Sequence, residues 1–200
     1  MALPGIFCLE GEWSRRLTDR TSVRPQLDML GPLGFTAPLI HRDVATREEF
    51  YYYTDKWMQK QYDNYSLAYF AFHGTEACIR LGKDDITLVE IADFLGKRAR
   101  GRTLYFGSCL TMAVPDAELQ DFVRATGVKA ICGYTKPVDW LQSAAFDYIL
   151  LPRLLERSYT RTVYNSLARD HTGFVRGLGF RLATKDFVSP RRVARQAAGL

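Results

Sequence analysis

The sequence predicts an α/β fold in which a mostly parallel central sheet is flanked by helices. Residues 67–72 and 103–106 are short apolar runs bounded by turn residues, a pattern that predicts buried strands. Between such runs lie segments with apolar residues at helical spacing, for example Leu88, Ile91 and Leu95. Strands that alternate with helices in this way favour parallel pairing with right-handed crossovers.

The first half of the chain predicts three strands and two helices. Pro25 suits the start of the first helix, and Gly31 suits its end. Pro38 favours an edge position for the second strand, because proline cannot donate to a sheet ladder. Thr46, followed by two glutamates, has the side chains of a helix N-terminus. The predicted strands are residues 5–9, 35–42 and 67–72, and the helices begin near residues 23 and 46.

The second half predicts a hairpin and then further alternation. Gly82 lies between residues 78–81 and 85–87, which predicts two antiparallel strands around a short loop. Gly96 and Gly127 mark the ends of two helices. Pro152 predicts an interruption or bend in the last long apolar helix. The remaining predicted elements are helix 88–95, strand 103–106, helix 115–126, strand 128–132 and helix 143–155.

Length and composition predict one main domain. The chain has 200 residues, of which 47% are hydrophobic, enough to bury a sizeable core. We expect residues 1–155 to form that domain and residues 156–200 to form a basic C-terminal extension, packed on it or trailing from it. The formal net charge of the chain is +5, and its positive charge is concentrated in the C-terminal quarter: residues 151–200 contain ten Arg and Lys against three acidic residues. We favour a solvated surface, including a tail with Arg191, Arg192 and Arg195, over a nucleic-acid patch.

Cysteine spacing and the N-terminus predict a reduced, cytoplasmic protein. The four cysteines show no CxxC or Cys/His ligand spacing, which argues against a disulfide framework and a structural zinc site. We therefore expect no metal and no cofactor. The first residues lack the pattern of a secretion signal, and no run approaches the roughly 20 apolar residues of a membrane span.

Two reactive side chains follow the ends of two predicted strands. His73 comes directly after residues 67–72, and Cys109 follows residues 103–108. Because the ends of parallel strands meet at one edge of a sheet, where ligands bind, we expect the imidazole and the thiol to lie close together. A nearby imidazole makes a thiolate available at neutral pH. The pair therefore predicts a Cys/His nucleophilic site.

The order of these residues resembles caspase-like cysteine peptidases and, within them, the CHAT-type domains of bacteria. Residues 69–74 (YFAFHG) are similar to the strand and His-Gly of that family, and residues 104–111 (LYFGSCLT) to its cysteine strand. The hairpin between them and residues 127–134 follow the same pattern, so the resemblance covers residues 66–155. The spacing of 36 residues between His73 and Cys109 is shorter than the roughly 50 of caspases.

The resemblance implies a caspase-like three-layer sandwich and a cysteine endopeptidase acting on a protein or peptide in bacterial signalling or defence. Cys109 would be the nucleophile and His73 its partner, with the backbone amides of Gly74 and Cys109 as oxyanion donors. Relatives recognise the residue before the scissile bond (P1) near the ends of the first, fourth and fifth strands. The corresponding residues here are Glu10, Glu12, Gly107 and Asp139. Acidic groups at these positions would suit a basic P1 side chain. Such peptidases are commonly held inactive by a regulatory protein partner, by loop disorder or by dimerisation.

Two other interpretations stay open. The first is a catalytically silent copy of the fold that serves as a binding or scaffold module, with the basic tail docking a partner or nucleic acid. The second is a flavodoxin-like protein with an incidental cysteine, although the chain has no Gly-rich phosphate loop. The presence of both His73 and Cys109 favours the peptidase, since an inert module need not keep the pair.

Overall fold

The computed structural model describes residues 3–156 and 159–191, which contain ten strands and seven α-helices. The strands are β1 (Ile6–Glu10), β2 (Leu39–Asp43), β3 (Leu67–Ala71), β4 (His73–Thr75), β5 (Cys78–Leu81), β6 (Asp84–Thr87), β7 (Thr103–Phe106), β8 (Ala130–Tyr134), β9 (Phe180–Thr184) and β10 (Phe187–Val188). The helices are α1 (Arg24–Met29), α2 (Arg47–Trp57), α3 (Leu88–Leu95), α4 (Asp116–Thr126), α5 (Trp140–Glu156), α6 (Thr160–Asp170) and α7 (Thr172–Leu178).

The main sheet has seven strands in the order β10-β9-β8-β7-β3-β1-β2. The five strands from β8 to β2 are parallel to one another, whereas β9 and β10 are antiparallel to their neighbours. The prediction of a mostly parallel central sheet is confirmed. Strand β2 lies at an edge, as Pro38 predicted.

Helices cover both faces of this sheet. Successive strand residues point to opposite faces, so each strand contributes to two cores. Phe70 and Phe106 face the core formed with α2, α3 and α4. Tyr69 and Tyr105 face the core formed with α1, α5, α6 and α7, which includes Phe146 of α5. The result is three layers, with helices, sheet and helices in turn.

Most predicted elements are present with shifted ends. Thr46 and Glu49 form a capping box at the start of α2, and Gly127, with φ of +70°, ends α4. Strand β8 begins at residue 130 rather than 128, because the Gly127 turn occupies the preceding residues. Pro152 lies inside α5, which continues to residue 156 instead of breaking there. The prediction that Pro152 interrupts the helix is therefore wrong. Burial of the apolar face of α5 stabilises the helix by more than the loss of one backbone hydrogen bond costs.

A small antiparallel sheet, β4-β5-β6, lies between β3 and α3. Its β5-β6 turn contains Gly82 with φ of +58°, which confirms the predicted hairpin. His73 is the first residue of β4 and pairs with Arg80 of β5. A residue expected in a loop is thus held in a short strand that leaves the main sheet.

The C-terminal segment contributes directly to the main sheet. Strand β9 pairs with β8, and α6 and α7 pack on the face that includes α5. Arg192 and Arg195 of the predicted solvated tail lie outside the described residues. None of the helices in the described ranges combines the length and apolar character needed to cross a bilayer.

Candidate functional site

His73 and Cys109 line one cavity at the carboxyl ends of the neighbouring strands β3 and β7. His73 is exposed and Cys109 is half-buried, so both side chains are open to a ligand. The cavity has a volume of about 200 Å³. Its walls are largely aromatic and apolar. The lining residues are Trp13, Val23, Gln26, Tyr69, Phe72, His73, Gly107, Cys109, Tyr134, Val138, Trp140 and Ser143.

Gly74 brings the His73 segment into contact with the segment that carries Cys109. A Cβ atom at Gly74 would lie 2.7 Å from Thr111 Oγ1 and 2.9 Å from Ser108 Cβ, and would overlap the Cys109 carbonyl oxygen. Only glycine permits this approach of the two backbones. The predicted convergence of the two segments is therefore present in the structure.

The His73 ring is oriented by the backbone of Trp13. His73 Nε2 lies 3.0 Å from the Trp13 carbonyl oxygen. Since a carbonyl only accepts hydrogen bonds, Nε2 carries the proton, and Nδ1 is the basic atom of the neutral ring. The Trp13 indole also contacts the ring, with 5.2 Å between centroids. Within the described ranges no hydrogen bond joins the His73 ring to Cys109 Sγ.

The surroundings of Cys109 supply hydrogen-bond donors. The Val138 amide donates to Cys109 Sγ at 3.4 Å. The amide of Cys109 itself donates to no group in residues 3–156 or 159–191. Leu110 follows with φ of +62°, a conformation that is strained for a residue with a side chain. The turn thus leaves a backbone donor without a partner among the described residues.

Arg181 of β9 anchors the loop that follows Cys109. Its side chain is 1% exposed, and the guanidinium donates to the carbonyl oxygens of Met112 and Val114 and to Asp116. The Met112 amide donates to the Tyr134 carbonyl at 2.9 Å. The C-terminal segment therefore fixes the position of the cysteine loop.

Glu10 at the end of β1 is 2% exposed, and its carboxylate is fully engaged. It accepts hydrogen bonds from the side chains of Trp13, Ser22 and His41 and from the Val23 amide, at 2.5 to 2.7 Å. Burial raises the pKa of Glu10, but these hydrogen bonds outweigh it and the net pKa lies below its ordinary value. Glu10 thus fixes Trp13, whose carbonyl in turn orients His73.

The other predicted substrate residues differ in position. Gly107 lines the cavity, and the absence of a side chain leaves room for Tyr69, whose hydroxyl would lie 3.0 Å from a Cβ there. Glu12 is exposed, and Asp139 is exposed and accepts from the Gln142 amide at the start of α5. Glu10, Glu12 and Asp139 are not part of the cavity wall, and their role as substrate ligands stays a prediction.

Behind the cavity lies a buried acid that the sequence analysis missed. Asp147 of α5 is 1% exposed and accepts from Tyr69 at 2.7 Å, from Tyr105 at 2.6 Å and from Gln26 at 2.9 Å. Burial raises its pKa to about 7, although the tyrosine hydrogen bonds act in the opposite direction. The signal available in the sequence was Asp147 itself, the one acid among residues 143–155 of the predicted apolar helix.

One set of side chains has the composition of a metal site. Glu10, His41 and Asp43 bring ligand atoms within 4.8 Å of one another. Both oxygens of Glu10 already accept hydrogen bonds from protein groups. We therefore assign this cluster a structural role.

Two comparisons with known proteins bear on these residues. The model of DUF6642, a family of unknown function, matches residues 4–183. No curated protein matches the sequence.

Proposed function

We propose that this chain, which belongs to the DUF6642 family, is a cysteine endopeptidase with a caspase-like fold of the CHAT type. The observation that carries the proposal is the shared cavity of Cys109 and His73 at the carboxyl edge of the parallel sheet. The layered α/β architecture and the hairpin between the two residues support the same assignment. The resemblance to CHAT-type domains implies a protein substrate in signalling or defence.

In the first half-reaction, Cys109 Sγ attacks the carbonyl carbon of the scissile peptide bond. A C–S bond forms while the thiol proton passes to His73 Nδ1, the atom left unprotonated by the Trp13 hydrogen bond. The carbonyl oxygen becomes an oxyanion, which accepts from the unpartnered Cys109 amide and from the Gly74 backbone. His73 then donates the proton to the amide nitrogen, the C–N bond breaks and the amine product leaves.

In the second half-reaction, water hydrolyses the thioester. His73 Nδ1 accepts a proton from the water as its oxygen attacks the acyl carbon. The C–S bond breaks, the proton returns to the sulfur, and the carboxylic acid is released. The glycine at position 74 suits both steps, because it allows the backbone to approach the reacting carbonyl.

Replacement of the nucleophile tests the proposal. We expect Cys109→Ala to lower cleavage of a mixed peptide library by at least about 1000-fold, because no other side chain forms the acyl intermediate. Cys78→Ala is the matched control, since Cys78 is the other half-buried thiol. Product peptides are quantified by mass spectrometry, and circular dichroism checks that each variant is folded.

A second measurement covers a chain that needs a partner for turnover. A peptidyl acyloxymethyl ketone should alkylate Cys109 in preference to Cys78, and His73→Ala should slow this labelling at least about 10-fold. Cleavage that survives Cys109→Ala, or equal labelling of both thiols, would refute the peptidase and leave the binding-module interpretation.

A further inference from the structure

The cavity beside Cys109 leads to a buried polar network. Tyr69, Tyr134 and Gln26 belong to the cavity wall, and each is linked to Asp147 directly or through one hydroxyl. Tyr134 lies 2.5 Å from the Tyr105 hydroxyl, which lies 2.6 Å from Asp147. A side chain that enters the cavity next to the reacting carbonyl would therefore meet this network.

The donors of the network are directed inward. When Asp147 is ionised its carboxylate only accepts, so the hydroxyls of Tyr69 and Tyr105 then donate to it. Because the Tyr105 proton is used in that way, the proton between Tyr105 and Tyr134 belongs to Tyr134. The Gln26 amide group donates to Asp147 as well.

What remains for a ligand are acceptor atoms. Tyr134 has a hydroxyl oxygen with free lone pairs, and the carbonyl oxygen of Gln26 accepts from no group in the described ranges. No Arg, Lys or His within these ranges donates to Asp147, whereas Glu10 is paired with His41. With Asp147 ionised, the network therefore presents acceptors and a buried negative charge that no cation in the described ranges contacts.

We propose that this cavity is the P1 pocket and that Asp147 makes it selective for lysine or arginine. The inference rests on the proposed peptidase function and names its substrate class. The aromatic walls suit the methylene chain of such a residue, and the acceptor oxygens of Tyr134 and Gln26 suit its cationic head. Asp147 is a specificity residue that acts through the tyrosine hydroxyls and Gln26. It supplies the basic preference that the exposed Glu12 and Asp139 were expected to provide.

The titration of Asp147 agrees with this role. Burial raises its pKa to about 7, so the carboxylate is held without a counterion at the edge of its charged range. A bound cation favours the ionised form and lowers this pKa. The titratable groups that face Asp147 are Tyr69, Tyr105, Tyr134, Cys8 and Cys132, all of which are neutral at pH 7 because their own pKa values are raised by burial.

Matched substrates test the selectivity. Peptidyl aminocoumarins with lysine or norleucine at P1 differ in the cationic group at nearly constant shape. For the wild type we expect kcat/KM to be at least about 100-fold higher with lysine, because the norleucine substrate leaves the buried acceptors unpaired. Asp147→Asn should reduce this ratio to below about 10-fold, mainly by slowing hydrolysis of the lysine substrate.

Asp121→Asn is the charge-matched control. Asp121 is an exposed acid of α4, a helix on the opposite face of the sheet, and its removal should leave the lysine-to-norleucine ratio unchanged. A preference for acidic or aromatic P1 residues, or an equal ratio in wild type and Asp147→Asn, would overturn the proposal while the peptidase function stands.

A binding measurement separates the two proposals. In the catalytically inert Cys109→Ala protein, benzamidine should raise the melting temperature, whereas benzyl alcohol should not, and Asp147→Asn should abolish the benzamidine effect. The same benzamidine result, combined with equal labelling of Cys109 and Cys78 in the wild type, would retain the cation pocket and refute the peptidase. Equal effects of the two compounds would refute the cation pocket.

Discussion

Two buried carboxylates lie on the same face of the main sheet and differ in how their charge is satisfied. Glu10 accepts from an amide, an indole, a hydroxyl and the imidazole of His41, and the net effect lowers its pKa. Asp147 accepts from two tyrosines and a glutamine, and its pKa is raised to about 7. The difference shows that burial alone does not define a role. Glu10, with a full set of donors, stabilises the fold, whereas Asp147, which no cation in the described ranges contacts, is the acid that we propose acts on a ligand through its tyrosine and glutamine partners.

The linkage between proton binding and stability gives the two groups opposite effects. Glu10 has a lowered pKa. Its contribution to stability is therefore present at pH values above 4.5, its ordinary pKa, and is lost as the pH falls through its folded pKa. Asp147 has a raised pKa, so its contribution is fully present below its ordinary value of 3.8 and is lost as the pH rises through about 7.

Removal of the Glu10 charge, which protein donors satisfy fully, should have the largest effect on stability. We expect Glu10→Gln to lower the free energy of unfolding by about 3 kcal/mol, because an amide cannot accept from all four donors and leaves some of them unpaired. Activity should fall as well, since Trp13 and then His73 lose their anchor. Urea unfolding at pH 7.5 measures the change.

Glu12→Gln is the matched control for this substitution. Glu12 is exposed two residues further along, and we expect its substitution to change stability by less than about 0.5 kcal/mol. A comparable loss in both variants would contradict the anchoring role of Glu10.

The raised pKa of Asp147 should appear in the pH dependence of stability. We expect this effect to be smaller than that of Glu10→Gln. Between pH 5 and 7.5 the unfolded chain has released the Asp147 proton while the folded chain retains much of it. The free energy of unfolding of the wild type should therefore fall over this range by about 2 kcal/mol more than that of Asp147→Asn. Urea titrations of both proteins at the two pH values test this, and parallel pH curves would show that Asp147 is charged throughout.

Deletion of one hydroxyl from each cluster gives the smallest expected difference. Ser22→Ala removes a donor to the Glu10 carboxylate and should cost about 1.5 kcal/mol. Tyr134→Phe removes a hydroxyl that reaches Asp147 only through Tyr105 and should cost less than about 1 kcal/mol. Thermal unfolding of both variants at pH 7.5 measures these losses. A larger loss in Tyr134→Phe than in Ser22→Ala would contradict the view that the Glu10 cluster stabilises the fold more than the Asp147 cluster does.

Hydrophobic periodicity was sufficient to predict most of the architecture. Four predicted features depend only on neighbouring residues, and the structure contains all of them. They are the apolar runs before His73 and Cys109, the Gly82 turn and the helix-ending Gly127. Strand ends were less accurate because tertiary hydrogen bonds decide where pairing begins. The two strands after residue 178 were not predicted, since the run from residue 180 is short and interrupted by Arg181.

The candidate site was predictable only in part. Strand ends placed His73 and Cys109 at one edge of the sheet, which the sequence indicated without coordinates. Glu10 was selected for its charge and position, and the structure adds that its oxygens are occupied by protein donors. Asp147 received no assignment because nothing along the chain links it to Tyr69, 78 residues away.

The sequence by itself determined the α/β alternation and the placement of a thiol and an imidazole at one edge of the sheet, because both follow from local periodicity and from the geometry of parallel strands. Only the tertiary structure decided which acid carries an uncompensated charge. That property depends on the donors and cations that folding brings around each carboxylate, and these come from distant elements such as α1, β3, β7 and α5.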